Sequence, residues 1–293
     1  MNVDLVKTTA GDGIRLDGAL HLSPEICDQS LNFDAIICLS GVGSNFYGST
    51  LMEEITPALL NLGAAVLWAN TRGHDGFYTA SPSGKRQGAA YEVVDQCRLD
   101  ISAWTEFLVQ RGYGRLLLLG HSLGAIKSLY CQAYQEASAV CGIVAISPPR
   151  LSYSTFQNGP ASAKFFSAIA TAQEHVDAGK PETLLEVDFP FPLLITAAGY
   201  LEKYGREERY NILKFVERIA CPILFCYGEL ELSHGGVAFA GLPEALANLS
   251  WPNDSCQTIP FQSVTVVGAD HVYRGRRDAL AHEITTWLRC QFR

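Results

Sequence analysis

Gly120-His121-Ser122-Leu123-Gly124 sets a serine between two glycines at G-x-S-x-G spacing. A serine hydroxyl is a weak nucleophile until a base takes its proton, and the chemistry this pattern suggests is attack on a carbonyl carbon. The five-residue string recurs by chance in many chains, so its surroundings decide its meaning. Arg115-Leu116-Leu117-Leu118-Leu119 before it reads as a buried parallel strand, and Ala125 to Cys131 after it reads as a helix. A strand, a sharp turn and a helix would hold Ser122 in a strained conformation, with glycines on either side letting helix and neighbouring strand approach closely.

The serine needs a base, and the base needs a carboxylate to fix its tautomer. Seven histidines compete. His271, in Gly268-Ala269-Asp270-His271, follows the last predicted strand, at the strand-end edge where open α/β sheets gather their sites. It is the favoured base; the plainer alternative is a loop histidine bonded to backbone. His234 is the nearest rival. His121 is expected to project elsewhere because it adjoins the nucleophile, His282 to lie on a helix face, and His21, His74 and His175 to be structural or superficial. The acid should follow the strand Ile223 to Tyr227, where the chain reads Gly228-Glu229-Leu230-Glu231. Glu231 is favoured because it has room to swing back over the strand ends; Glu229 is the alternative, pointing to solvent or capping the turn. Asp270 should diverge from its own neighbour.

Charge that develops on the attacked carbonyl oxygen needs two backbone N–H donors. One is expected from Leu123. The other is expected from the loop Leu39-Ser40-Gly41-Val42-Gly43-Ser44-Asn45-Phe46-Tyr47-Gly48, with Val42 preferred and Gly43 as the alternative. That loop could instead cradle phosphate, but Gly41-x-Gly43-x-x-Phe46 lacks the third glycine of the dinucleotide pattern and no G-x-x-x-x-G-K-[ST] follows.

The elements that must position these residues alternate along the chain. Strands are predicted over Val3 to Thr9 and Ile14 to Leu22, around the turn Gly11-Asp12-Gly13. Strands Ala35 to Leu39, Ala64 to Ala69, Arg115 to Leu119 and Ala139 to Ile146 then alternate with helices Thr50 to Asn61, Ala89 to Arg111 and Leu123 to Glu136. The order demands a mostly parallel sheet covered on both faces. From Leu151 to Ile219 no good strand is evident, and helices are expected over Ala161 to Ala178, Leu194 to Tyr204 and Glu207 to Arg218. The alternation then resumes with Ile223 to Tyr227, a helix Pro243 to Leu249, a strand Val264 to Val267 and a closing helix Arg276 to Arg289. Residues 1–150 and 219–293 should therefore form one α/β core, with 151–218 a helical insertion over the nucleophile. Its aromatics Phe156, Phe165, Phe166, Phe189, Phe191, Tyr200, Tyr204 and Tyr210 could line an apolar pocket, although for each of them a place in the insertion's own core is the plainer reading. Lys85, Arg86 and Arg150 could meet a substrate carboxylate, solvated surface being the plainer reading.

Composition narrows the partners. A net charge of −8 without a basic run disfavours nucleic acid and anionic membrane surfaces. No apolar stretch approaches transmembrane length, and the N-terminus shows no secretory pattern. Nine cysteines, odd in number and without a C-x-x-C, suggest buried free thiols in a reducing, cytoplasmic setting rather than disulfides or a metal site.

Taken in order, these motifs resemble the α/β-hydrolase superfamily along nearly the whole chain. Leu39 to Gly43 is similar to its oxyanion loop, Asn70-Thr71-Arg72-Gly73-His74-Asp75 to its D-x-R-G-H-G stretch, Gly120 to Gly124 to its elbow, Cys221 to Gly228 to the strand before its acid, and Gly268 to His271 to its G-x-x-H. The sequence departs from the family at Ser40, where histidine is usual, and at the acid, usually aspartate. The resemblance implies the α/β-hydrolase fold and a Ser122–His271–Glu231 triad acting through an acyl-enzyme without metal or organic cofactor. The expected substrate is a small-molecule ester or thioester with a hydrophobic part. Cleavage of a C–C bond beside a ketone, and a non-catalytic binding role, are the alternatives.

Overall fold

The computed structural model describes residues 3–23, 31–251, 253–254, 257–258 and 261–293. In chain order its elements are β1 (Val3–Thr9), β2 (Arg15–His21), β3 (Ala35–Leu39), α1 (Thr50–Leu60), β4 (Ala65–Ala69), the short β5 (Tyr78–Thr79) and β6 (Arg86–Gln87), α2 (Cys97–Val109), β7 (Leu116–His121), α3 (Leu123–Tyr134) and β8 (Val140–Ile146). There follow α4 (Tyr153–Gln157), α5 (Ser162–Asp177), β9 (Leu184–Val187), β10 (Leu193–Thr196) and α6 (Ala197–Tyr204). The chain closes with β11 (Ile223–Gly228), α7 (Glu229–His234), α8 (Leu242–Ala247), the short β12 (Asn253–Asp254) and β13 (Gln257–Thr258), β14 (Phe261–Val266) and α9 (Arg277–Gln291).

Eight strands form one sheet in the order β1-β2-β4-β3-β7-β8-β11-β14. β1 and β2 pair antiparallel with each other and β2 pairs antiparallel with β4; every later neighbour is parallel. The central strands are continuous apolar runs because both faces are covered. Successive residues alternate between two cores. Ile37, Leu39, Leu116, Leu118, Ile223 and Phe225 join the core under α2, α3 and the 151–218 segment. Ile36, Cys38, Leu117, Leu119, Leu224 and Cys226 join the core under α1 and α9. A one-residue slip in any of these strands would exchange the two sets.

Three expectations are corrected. The helix expected from Ala89 begins only at Cys97, after a single 3₁₀ turn at Val94–Gln96. The N–H groups of Gly88, Ala89 and Ala90 are taken by the carbonyls of Arg72, Asp75 and Gly76, so that stretch is tied to a loop instead of winding into a helix. Within 151–218 the structure forms a hairpin, β9 against β10, where no strand was expected. The segment 207–218 makes two 3₁₀ turns, Ile212–Lys214 and Val216–Arg218, in place of a helix.

Of the nine cysteines, Cys27 and Cys256 lie outside the described residues. The other seven carry free thiols, and Cys38, Cys97, Cys131, Cys221 and Cys226 are buried. No helix among the described residues is long and apolar enough to cross a membrane.

One buried ionic cluster fixes the loop after β4. Arg72 donates to Asp100 of α2 through Nη2 at 2.8 Å and Nε at 3.1 Å, and to Asp12 of the β1–β2 turn through Nη1 at 2.6 Å. The Arg72 side chain is 2% exposed and that of Asp100 is fully buried. Burial works against the guanidinium charge, but the hydrogen bonds it donates to Asp100 and Asp12 outweigh it and hold the Arg72 pKa above its ordinary value. Removing one partner of a buried pair leaves the other charge uncompensated, which typically costs about 3–5 kcal/mol. Arg72→Met is accordingly expected to lose stability on that order in urea unfolding, and a loss under about 1 kcal/mol would contradict the assignment.

Candidate active site

The elbow between β7 and α3 has the backbone its glycines allow. Ser122 sits at φ 57°, ψ −121°, and its N–H donates to the Ile146 carbonyl at 2.8 Å. A Cβ on Gly120 would lie 2.3 Å from the Gly124 carbonyl oxygen, and one on Gly124 would lie 2.2 Å from that of Leu39. Both contacts are far inside van der Waals distance, so only glycine lets α3 leave the sheet this tightly. A serine at positive φ is a strained residue, and such strain persists where surrounding structure over-determines it.

His271 lies on the loop after β14, and its Nε2 is 3.1 Å from Ser122 Oγ. On the opposite side of the ring its Nδ1 is hydrogen-bonded to Glu231 Oε1. The Glu231 side chain is fully buried, whereas that of His271 is 39% exposed. Glu231 belongs to the first turn of α7, a helix with no counterpart among the elements expected from sequence. Its second oxygen, Oε2, accepts from the Gly228 N–H at 3.2 Å and from Ser147 Oγ at 2.7 Å. Glu229 is exposed and turned elsewhere: its Oε2 accepts from the Gly268 N–H at 2.8 Å. The structure thus brings Ser122, His271 and Glu231 together in a chain and leaves Glu229 tying down the loop that leads to His271.

Val42 and Leu123 both line the cavity beside Ser122. Leu123 is the first residue of α3, so its N–H has no carbonyl one turn back inside the helix. Gly41 faces Ser122 closely enough that a Cβ there would sit 3.2 Å from Ser122 Cβ. With Ser40 where histidine is usual, other residues hold this loop. The Phe46 N–H donates to Asn70 Oδ1 at 2.8 Å, and Asn45 Nδ2 donates to Asp75 Oδ1 at 2.5 Å. The stretch Asn70 to Asp75 therefore steadies the loop that carries Val42.

The other histidines have separate places. His74 bonds Asp75 and stacks on Tyr78, His21 packs against Trp68, His282 is exposed on α9, and His234 bonds the Leu230 carbonyl of its own helix. His121 differs from expectation. Its ring reaches the site, where Nε2 donates to the His271 carbonyl oxygen at 2.8 Å and the two rings lie 4.9 Å apart. Burial first, and the facing His271 second, push its pKa down to about 4, so the ring is neutral at neutral pH. The signal that would have found it is its place at the end of a parallel strand, on the edge where the β14 loop also ends.

A cavity of about 530 Å³ opens above Ser122. Its apolar lining includes Leu151, Phe156, Phe191 and Tyr204 from the 151–218 segment and Phe239 from beyond β11. Its polar lining includes Ser44, Ser49, Thr50 and Arg277. Of the eight aromatics named from sequence, Phe156, Phe191 and Tyr204 line the cavity. Phe165, Phe189, Tyr200 and Tyr210 are buried in the core, and Phe166 is exposed. The cation on the cavity wall is Arg277, which is ion-paired with Glu54 and donates to Thr50 Oγ1 at 2.9 Å. Lys85, Arg86 and Arg150 are not in the lining; Arg150 is spent on the carbonyls of Val237 and Ala240.

No family model matches the chain, and no curated protein matches it. Solved structures do. An α/β hydrolase from Penicillium sp. sh18 aligns with a TM-score of 0.69 at 15% identity, covering 100% of this chain and 99% of its own. An esterase from Pyrococcus furiosus aligns with a TM-score of 0.64 at 18% identity, covering 100% and 92%. The Butyrivibrio proteoclasticus protein Est1E, solved with ferulic acid bound, aligns with a TM-score of 0.64 at 15% identity, covering 98% and 99%. Structural similarity over full length at such low identity is a statement about architecture. This chain has the α/β-hydrolase fold.

Proposed function

We propose that the protein is a serine hydrolase that cleaves an ester or thioester of a small to medium, partly hydrophobic substrate through an acyl-enzyme on Ser122. The observation that carries this reading is the His271 ring, hydrogen-bonded to Ser122 on one nitrogen and to buried Glu231 on the other. His271 Nε2 takes the Ser122 proton as Oγ attacks the carbonyl carbon. Glu231 holds the Nδ1 proton in place and stabilises the imidazolium. The N–H groups of Val42 and Leu123 receive the oxyanion. His271 then protonates the leaving group, and water activated by the same ring releases the acyl group.

Residues 151–218 serve as the cap in this reading, because they supply apolar lining of the cavity at Ser122. The esterase neighbours support ester cleavage at the level of reaction class. A small-molecule substrate and a cytoplasmic setting accord with the buried thiols and the acidic charge.

The test is turnover of p-nitrophenyl esters and acyl thioesters of graded chain length, with Ser122→Ala as the control. The expected result is turnover of short to medium acyl chains that falls as the chain outgrows the cavity and vanishes in the variant. Hydrolysis confined to a vinylogous diketone, with no ester or thioester turned over, would replace this reading with C–C cleavage.

A further inference from the structure

Among the described residues five non-glycine residues have positive φ, and three of them belong to the hydrogen-bond chain that runs through Glu231. Ser122, at 57°, bonds the histidine that Glu231 holds. Ser147, at 50°, bonds Glu231 itself, and Tyr273, at 54°, bonds Ser147. For a bulky residue such as tyrosine this backbone is uncommon and strained. Strain of this kind persists only where something fixes it, and here the two side chains meet. Ser147 Oγ is 2.7 Å from Glu231 Oε2, and Tyr273 Oη is 3.0 Å from Ser147 Oγ. Ser147 and Tyr273 are fully buried, and neither lines the substrate cavity.

The direction of these bonds follows from proton inventory. An ionised carboxylate only accepts, so the single Ser147 hydroxyl proton points at Glu231. Ser147 Oγ must then accept from Tyr273, whose own proton completes the relay. With the Gly228 N–H, two donors occupy Oε2, which leaves Oε1 turned to His271. Glutamate has one more rotatable bond than aspartate, so a glutamate used as triad acid needs this extra hold.

We propose that Ser147 and Tyr273 are positioning residues that lock the Glu231 carboxylate against His271. The proposal rests on the triad reading given above. Neither residue touches substrate, and Tyr273 acts only through Ser147.

Ser147→Gly separates positioning from structure. Glycine is at ease at positive φ, so the variant removes the hydroxyl while relieving the backbone. The expected result is a fall in kcat of about 10- to 100-fold with KM unchanged, the size of effect that slight misplacement of a catalytic group produces. The downfield proton resonance of the His271–Glu231 hydrogen bond should shift or disappear in the folded variant. Tyr273→Phe should show a smaller fall in kcat, and the double variant should be no worse than Ser147→Gly alone. If Ser147→Gly does not fold, Tyr273→Phe carries the test through its kcat and the same resonance. Unchanged kcat with an unmoved resonance would overturn the relay, as would fully additive losses in the double variant. If Glu231→Gln abolishes turnover while both relay variants are normal, only the relay fails. If Glu231→Gln is itself normal, the triad reading fails first.

Discussion

Ser122→Ala is expected to lower kcat by about 10⁴- to 10⁶-fold while leaving the protein folded and its KM for esters nearly unchanged. The size follows from what the hydroxyl does. Without Oγ there is no acyl-enzyme, and His271 and Glu231 have nothing to activate except water. What remains is the cavity and the two N–H donors proposed at Val42 and Leu123, the kind of groups that account for the residual rate in such variants. KM is spared because the apolar lining of Leu151, Phe156 and Phe191 and the polar lining of Thr50 and Arg277 are untouched. The fold is spared because the backbone at residue 122 is held by the Ile146 carbonyl and by α3, not by the hydroxyl. Initial rates on the best ester, with thermal melts of both proteins, check the prediction.

The second large effect is expected at Glu231. Glu231→Gln should lower kcat by about 10⁴-fold with little change in KM. The amide keeps the size of the side chain, but an amide N–H facing His271 Nδ1 favours the tautomer that carries its proton on Nε2, the wrong nitrogen for accepting from Ser122. Glu229→Gln is the matched control. Its carbonyl oxygen can still accept the Gly268 N–H, so the expected change is within about twofold, as for most surface substitutions. Equal losses in both variants would contradict the assignment of Glu231, and a loss confined to Glu229→Gln would reverse it.

The central sheet was legible from sequence because its strands are continuous apolar runs, as burial on both faces requires: Ala35 to Leu39 is matched residue for residue, and β7 and β8 to within two residues at either end. The insertion was less legible. In β9 the pattern Leu184-Leu185-Glu186-Val187 buries only alternate residues, and in β10 Leu193 and Leu194 stay at least partly exposed, so neither carries the apolar run that marked the core strands. The start of α2 was misplaced because the 88–90 backbone bonds to the 72–76 loop, a tertiary contact that no local spacing encodes. The choice between Glu229 and Glu231 turned on α7. Residues two apart on a helix point roughly 200° apart, so one glutamate faces His271 while the other faces away. Reading the stretch as plain loop removed that constraint. His121 is not legible in the sequence as part of the site, because adjacency to Ser122 points its side chain away from the nucleophile. Its ring does leave the nucleophile, and it meets the backbone of His271 instead.

The central claim is that Ser122 is an activated nucleophile, and covalent labelling tests it most directly. The intact protein would be treated with a fluorophosphonate, weighed by mass spectrometry and digested to locate the adduct. The account predicts a single adduct on Ser122, lost in Ser122→Ala and formed far more slowly in Glu231→Gln. A folded wild-type protein that takes up no label, or a Ser122→Ala variant that labels as well as wild type, would contradict it.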